Sequence, residues 1–392
     1  MSQILKEGTW QNTKTALMEG LTGNRAKTLN VVLENTRRAL METASSGATN
    51  AGNIATLNRV ILPLIRRVMP GVIANELVGV QAMNSPVGQI NTLRIRYADT
   101  SSGAGVLAGD EALSPFKIAA SYSGNEVSAT PKANSSAYAE GTVGKRVNIQ
   151  VVKETVEAKT RRMSATWTFE AAQDANAMHG VDLEAEIMAA LAQEMTVEID
   201  QEILTSLYNL AGSDASTYDQ GAVSGTATFV GDEHAALAVL INEQANNIAV
   251  RTGRGAANWA VVSPTALTVL QSATTSAFAR TTEGTFEAPT NVKFAGTLNG
   301  TMKVYVNRYA SSNTSVLIGY KGDTETDAAA FYCPYIPLMT MGTVLDPSTF
   351  QPIVAFMTRY GYKELTNTAT SFGNAADYVA RVGVSTTNLK FA

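Results

Sequence analysis

Apolar residues recur at every fourth position from Leu183 through Ile187, Leu191, Met195, Ile199 and Ile203 to Leu207, with Val181 extending the row. This spacing predicts a helix over 179–211 of about 45 Å, with Gly212 where a C-terminal cap is expected. A row spaced by four creeps about 40° per step around a helix of 3.6 residues per turn, so its two ends are expected to pack against different partners. Glu184, Glu186, Glu194, Glu198 and Glu202 occupy the remaining faces and read as solvated.

A period of two takes over in 90–97, where Leu93, Ile95 and Tyr97 share one face and Thr92, Arg94 and Arg96 the other. A second strand-like run, 147–159, carries Glu154 and Glu157. Between them, 99–143 is rich in Gly, Ser, Ala and Asn and too long for a structureless loop inside a compact body. The two runs are therefore expected to form a long hairpin that projects from the body.

Upstream, 1–58 is polar and weakly helical around 28–43, with Leu29, Val32, Leu33 and Leu40 at helical spacing. It carries too little apolar surface to fold alone and reads as an arm reaching outward. A short helix through Ile61, Leu62, Leu64, Ile65, Val68 and Met69 is stopped by Pro70 and Gly71. Beyond Gly212, Asp232 is expected to cap a helix through Leu237, Leu240, Ile241 and Ile248 that ends near Gly253. A buried strand is expected over 258–262, and Ser263 before Pro264 opens a helix to Ser272. Further strands are expected over 302–309 and 315–320, which gives a separate α/β lobe at about 213–330; strand-like runs such as 353–360 follow.

A chain of 392 residues suggests two or three compact units. Charged residues make up 16%, against about 25% in typical soluble domains. That deficit is expected where copies of the same chain cover much of the surface, because interface cores are depleted in charge. The net charge of −4 is spread along the chain without a basic run, so tight binding to phosphate backbones is not expected. Residues 1–10 lack the apolar core of a signal peptide, and no stretch approaches the ~20 apolar residues of a membrane span, so no membrane partner is expected. Cys333, the single cysteine, fits a reducing cytosol and reads as a small buried hydrophobe.

Candidate chemistry is sparse. His179 and His234 have no second ligand at metal-binding spacing, and both read as structural residues at helix starts. Asp323, Glu325 and Asp327 follow the spacing of a calcium loop, but Ala328 replaces the required glycine and Pro334 the bidentate acid, which leaves a solvated tip between Tyr320 and Phe331. The glycine-rich 103–109 lacks the Lys and Ser or Thr of a phosphate loop. A hydrolase triad converges only in space, yet no nucleophile-elbow motif supports one. No catalytic residue, cofactor or metal is assigned, and a non-enzymatic protein is expected.

Six runs, in order along the chain, carry a resemblance. They are LIRRVMP from Leu64, IANELVGVQ from Ile73, MNSPVGQ from Met83, AQDANAMHG from Ala172 into the long helix, FYCPYIPL from Phe331, and DPSTFQP from Asp346 followed by TRYG from Thr358. Together they resemble the major capsid proteins of T-even-like tailed phages, and the collinear match covers about 58–362. The resemblance implies an α+β chain with the Hong Kong 97 capsid fold. It would have an N-terminal arm (1–58), a peripheral domain assembled from 59–87, from 161–212 with its spine helix and from the return segment 331–392, an extended hairpin (88–160) and an axial domain (213–330).

The implied function is self-assembly, as hexamers and pentamers, into the icosahedral head of a virion that encloses double-stranded DNA and forms in the bacterial cytoplasm. The implied partners are further copies of the chain, vertex, portal, scaffold and decoration proteins, and DNA held weakly without sequence specificity. A vertex paralogue forming only pentamers and an encapsulin-type shell are the alternatives. Within this frame Arg94 and Arg96 either pair with acids of a neighbouring subunit or remain solvated. Leu17-Met18-Glu19 before Gly20 matches the family's maturation cleavage pattern.

Overall fold

A computed structural model describes residues 7–18, 23–45, 73–102, 105–110, 112, 122–124, 133–134, 140, 144–179, 182–223, 230–273, 278–280, 292–310, 315–323, 327–340, 343–349, 351–364, 375–387 and 389. In chain order the elements are helices α1 (Glu7–Met18), α2 (Gly23–Ser45) and α3 (Ala74–Leu77), then strands β1 (Gly79–Val80), β2 (Val87–Tyr97), β3 (Val147–Glu157) and β4 (Lys159–Thr166). Helices α4 (Phe169–His179) and α5 (Leu183–Ala211), strand β5 (Ser216–Tyr218), helix α6 (Val230–Thr252), strand β6 (Trp259–Val262) and helix α7 (Pro264–Ser272) follow. The remaining strands are β7 (Phe278–Arg280), β8 (Val292–Leu298), β9 (Met302–Asn307), β10 (Val316–Gly319), β11 (Ala330–Thr340), β12 (Val344–Leu345), β13 (Pro352–Glu364) and β14 (Val379–Val384).

These strands form three sheets. One has five strands, ordered β1-β11-β13-β12 with β4 along the other edge of β13; a second has seven, ordered β5-β14-β10-β6-β9-β8-β7; β2 and β3 stand apart as a pair. The run Trp259–Val262 is apolar at every position because the seven-stranded sheet is covered on both sides. Ala260 and Val262 join the cluster under α6 and α7, whereas Trp259 and Val261 join the core shared with α5.

Helix α5 is the spine between the sheets. Asp182 caps it through the N–H groups of Glu184 and Ala185, and Gly212 ends it at φ 71°, where a side chain would be strained. The two ends do pack differently. Met188, Ala192 and Met195 meet α2 and the five-stranded sheet through Leu29, Leu33 and Phe356, while Ile199, Ile203, Leu204 and Leu207 sit among residues of both sheets. Leu183, Ile187 and Leu191 are only partly buried, because a row spaced by four walks off a face that continues through Met188 and Ala192.

Several expectations change. The long helix begins after Asp182, and the residues before it form their own helix, α4, so His179 ends a helix instead of starting one. Helix α6 starts at Val230, which places Asp232 inside its first turn rather than at its cap. Helices α1 and α2 do not reach outward: Trp10, Leu29, Val32 and Leu33 are buried against the chain's own spine helix and sheet. Asn35 donates to the carbonyls of Met83 and Tyr335 at 2.8 and 3.0 Å. The arm's apolar stripe is too small to fold alone but large enough to dock. The final strand, β14, leaves the return segment 331–392 and pairs with β10 in the seven-stranded sheet. The helix expected through Ile61–Met69 lies outside the described residues.

Candidate assembly interface

The β2–β3 pair runs in unbroken antiparallel register from Val87 opposite Glu157 to Tyr97 opposite Val147, a ribbon about 35 Å long. At its root Ile90 and Val156 point into the core. The fit there is close: a side-chain carbon at Gly361 would lie 2.5 Å from Val156 Cγ1, and one at Gly88 would lie 3.1 Å from Met83 Sδ. The amide of Ala158 donates to Pro86 O at 2.9 Å and closes the base.

Beyond the root the apolar side changes over. Ile95 and Tyr97 lie opposite Ile149 and Val147, so directly paired residues share one face and make it apolar; Leu93, whose side chain lies outside the described residues, pairs with Val151 in the same register. Within the chain this face is largely uncovered: Val147, Ile149 and Val151 are 48%, 68% and 53% exposed. The other face of the same outer half carries Arg94 and Arg96 opposite Gln150 and Asn148. Arg96 is half-buried; the side chain of Arg94 lies outside the described residues. The sequence reading named only the β2 half of this surface, although the alternation Val147-Asn148-Ile149-Gln150-Val151 on β3 carries the same signal.

The far end of the ribbon is tied down. Gly109 donates to Tyr97 O, Tyr97 to Asp110 O and Ala112 to Ile95 O, at 2.8, 2.9 and 2.8 Å, so this stretch borders the edge of β2. Asp99 accepts from the Arg146 backbone N–H at 2.9 Å and from its guanidinium at 3.2 Å, and these bonds hold its carboxyl below the usual range. The Tyr122 hydroxyl donates to Arg146 O at 2.6 Å, with its ring 4.5 Å from that of Tyr97. Such bonds stiffen a two-stranded ribbon that would otherwise be marginal in water.

Where the ribbon passes into β4, Arg161 fastens the body to the spine. Its guanidinium donates to Glu198 at 2.9 Å, to Glu202 at 2.6 Å and to the Tyr360 hydroxyl at 2.5 Å; Tyr360 also donates to Glu202. Burial pushes the Glu202 carboxyl up, but the bonds from Tyr360 and Arg161 outweigh it and hold it below its usual range. Glu198 and Glu202 are therefore not a solvated face, whereas the bond that Glu184 accepts from Thr343 at 2.7 Å is exposed.

The residues weighed for chemistry serve the fold. His234 is buried in α6 and shares a hydrogen bond with Ser272 at 2.5 Å. Asp327 is buried rather than solvated, accepting from Arg254 at 2.7 Å and Tyr378 at 3.2 Å. Burial pushes the Cys333 thiol up to about 12, which leaves it a protonated apolar filler. Among the described residues no group of three or more His, Cys, Asp or Glu is placed to hold a metal ion, and no helix is long and apolar enough to cross a membrane. The side chain of His179, and Glu19 and Gly20, lie outside the described residues.

Several of the collinear runs converge under the ribbon root. Gly79 and Val80 pair with Phe331 and Tyr332, and Tyr332 and Cys333 pair in turn with Tyr362 and Gly361. Gln81 and Met83 donate to the carbonyls of Tyr332 and Pro334 at 3.1 and 3.0 Å. Residues 54–145 and 128–384 match the family described as Major capsid protein Gp23. The major capsid protein of Vibrio phage KVP40 is 29% identical over 85% of this chain and 82% of its own length. That of Enterobacteria phage T4 is 28% identical over 81% and 77%. A solved chain from Mycobacterium phage Bobi overlaps 80% of this chain and 91% of its own at 13% identity, with a TM-score of 0.48. With the family match running through the hairpin, both body sheets and the spine helix, the chain belongs to the Gp23 major capsid protein family.

Proposed function

We propose that this chain is a structural subunit that closes, as hexamers and pentamers, into an icosahedral phage head around double-stranded DNA, assembling in the bacterial cytoplasm. The observation that carries the assembly step is the ribbon's outer half, where β-branched residues stand exposed on a stiffened element. A monomeric protein rarely leaves such an apolar patch to water. A neighbouring copy is the natural occupant: each subunit lends its ribbon to the next, a head-to-tail contact that closes into a ring when the rotation allows. Many modest contacts of this kind add through multivalency.

The peripheral domain is proposed to comprise 59–87, 161–212 and most of 331–392, the axial domain about 213–330 with β14 added, and the extended hairpin 88–160. Vertex, portal, scaffold and decoration proteins are proposed partners on the same grounds of family. With a net charge of −4 and no basic run, DNA would be held weakly and without sequence preference. Cleavage after Glu19, before Gly20, belongs to the same proposal. It would detach α1, whose Trp10 is buried against α2, and the intact mass of chains from mature particles reads it directly.

The test is Ile149→Asp with Val151→Asp in the full chain. The double variant is expected to keep the thermal unfolding of the unassembled wild type, because both side chains are exposed, and to form no closed shells in electron micrographs. Shells in wild-type yield would overturn the proposal. On the opposite face, Arg94→Ala with Arg96→Ala is expected to lower shell yield and heat stability; unchanged values would remove the inter-subunit pairing of these arginines.

A further inference from the structure

Asp200 lies on the buried face of α5, 0% exposed, between Ile199 and Ile203. Its Oδ1 accepts one hydrogen bond, from the backbone N–H of Ile73 at 2.8 Å, and its Oδ2 has no partner. An ionised carboxylate here would be an uncompensated buried charge, which costs far more than a neutral acid with one idle oxygen. Among the described residues, the titratable groups on the elements packed against it supply no free cation. On β11 stand Tyr332, whose ionisation Asp200 opposes, and the Cys333 thiol; on β13 stands Tyr360. Along α5, Glu198 and Glu202 are taken up by Arg161 of β4, and on α3 Glu76 is engaged by Tyr305 at 3.1 Å and Lys303 at 3.5 Å.

The contact has a consequence for the ribbon. Ile73 opens the stretch through α3 and β1 that pairs with β11 and continues to Met83, the residue packed against Gly88 at the ribbon root. We propose that Asp200 is a proton-held latch: neutral, it stays buried with the Ile73 amide closed onto the spine helix, and loss of the proton leaves a charge that this single N–H bond does not offset, which loosens the α3–β1 stretch beneath the hairpin. This latch is a property of the single chain and stands whether or not the ribbon docks on a neighbour.

Burial pushes the Asp200 carboxyl up to about 7, with the Ile73 N–H opposing the rise. An exposed aspartate titrates near about 3.9. The group's folded value is thus raised, so its contribution to holding the stretch is fully present below about pH 4 and lost as pH rises through about 7. Opening that exposes Asp200 should therefore become about tenfold easier per pH unit across that window and level off above it.

Hydrogen–deuterium exchange of the unassembled full chain, corrected for the intrinsic pH dependence, tests this at the amides of 73–78. Wild-type protection is expected to fall about tenfold per unit from about pH 5 to about 7 and then flatten, whereas Asp200→Asn, isosteric and always neutral, should show no such slope. Parallel profiles in the two proteins, or a flat wild-type profile, would overturn the latch. Should the variant fail to fold, infrared spectra of wild-type chain with carbon-13-labelled aspartate decide alone. A protonated-carboxyl band present at about pH 6 and lost by about pH 9 supports the latch, and its absence at about pH 6 refutes it.

Discussion

Ile203→Ala is expected to destabilise the unassembled chain by about 2–5 kcal/mol, measured by urea unfolding followed by circular dichroism. Ile203 is fully buried where the two body sheets meet the spine helix, among Leu317 and Val379 of one sheet and Phe331 and Tyr360 of the other. Truncation there removes transfer free energy and leaves a cavity that neither sheet can fill, since each is held by its own strand register. Ile187→Ala, in the same four-residue row but only partly buried, should cost under about 1 kcal/mol. Equal costs at the two positions would mean that the burial pattern along α5 is misassigned. The comparison belongs on unassembled protein, because shell contacts stabilise by mass action.

Gly361→Ala is expected to cost about 1–3 kcal/mol and to depress shell formation with it. The new carbon would meet Val156 Cγ1 at 2.5 Å and the Glu157 carbonyl oxygen at 3.1 Å, so the ribbon root must lift or β13 must bend. Val156→Ala removes the nearer obstacle. In that background the cost of Gly361→Ala should fall by at least about 0.5 kcal/mol, the size of coupling expected of touching residues. Additive costs in the double-mutant cycle would show that the two positions do not press on one another. Gly361 lies on β13 opposite Cys333, with the ribbon root directly against it.

Local pattern carried much of the fold. The helix from Pro264 to Ser272 was legible to the residue, because Ser263 accepts from the Ala266 N–H at 3.2 Å as a cap should and proline fits the first turn. Strand β2 was legible from its alternation, since Val147, Ile149 and Val151 opposite it stand largely exposed and the apolar side is not masked by a buried run. Strands β1, β4, β5, β7, β8, β12 and β14 were not read: β1, β5, β7 and β12 have two or three residues each, too few to show a period, and β8 is interrupted by a register shift near Gly296. Asp200 was passed over for a related reason, because an acid beside an apolar row on a helix looks solvated until something covers it.

The sequence by itself determined the spine helix and the hairpin, which rest on spacing along the chain, and, through the resemblance of its ordered runs, the family. Only the tertiary structure decided that α1 and α2 fold back onto the body, that β14 crosses into the seven-stranded sheet, and that Glu198 and Glu202 serve Arg161 while Asp200 stands with one amide. It also decided that the apolar side of the ribbon changes over beyond its root. The physical reason is common to all of them. Periodicity states which side chains share a face, but which face is covered, and by what, depends on partners tens or hundreds of residues away.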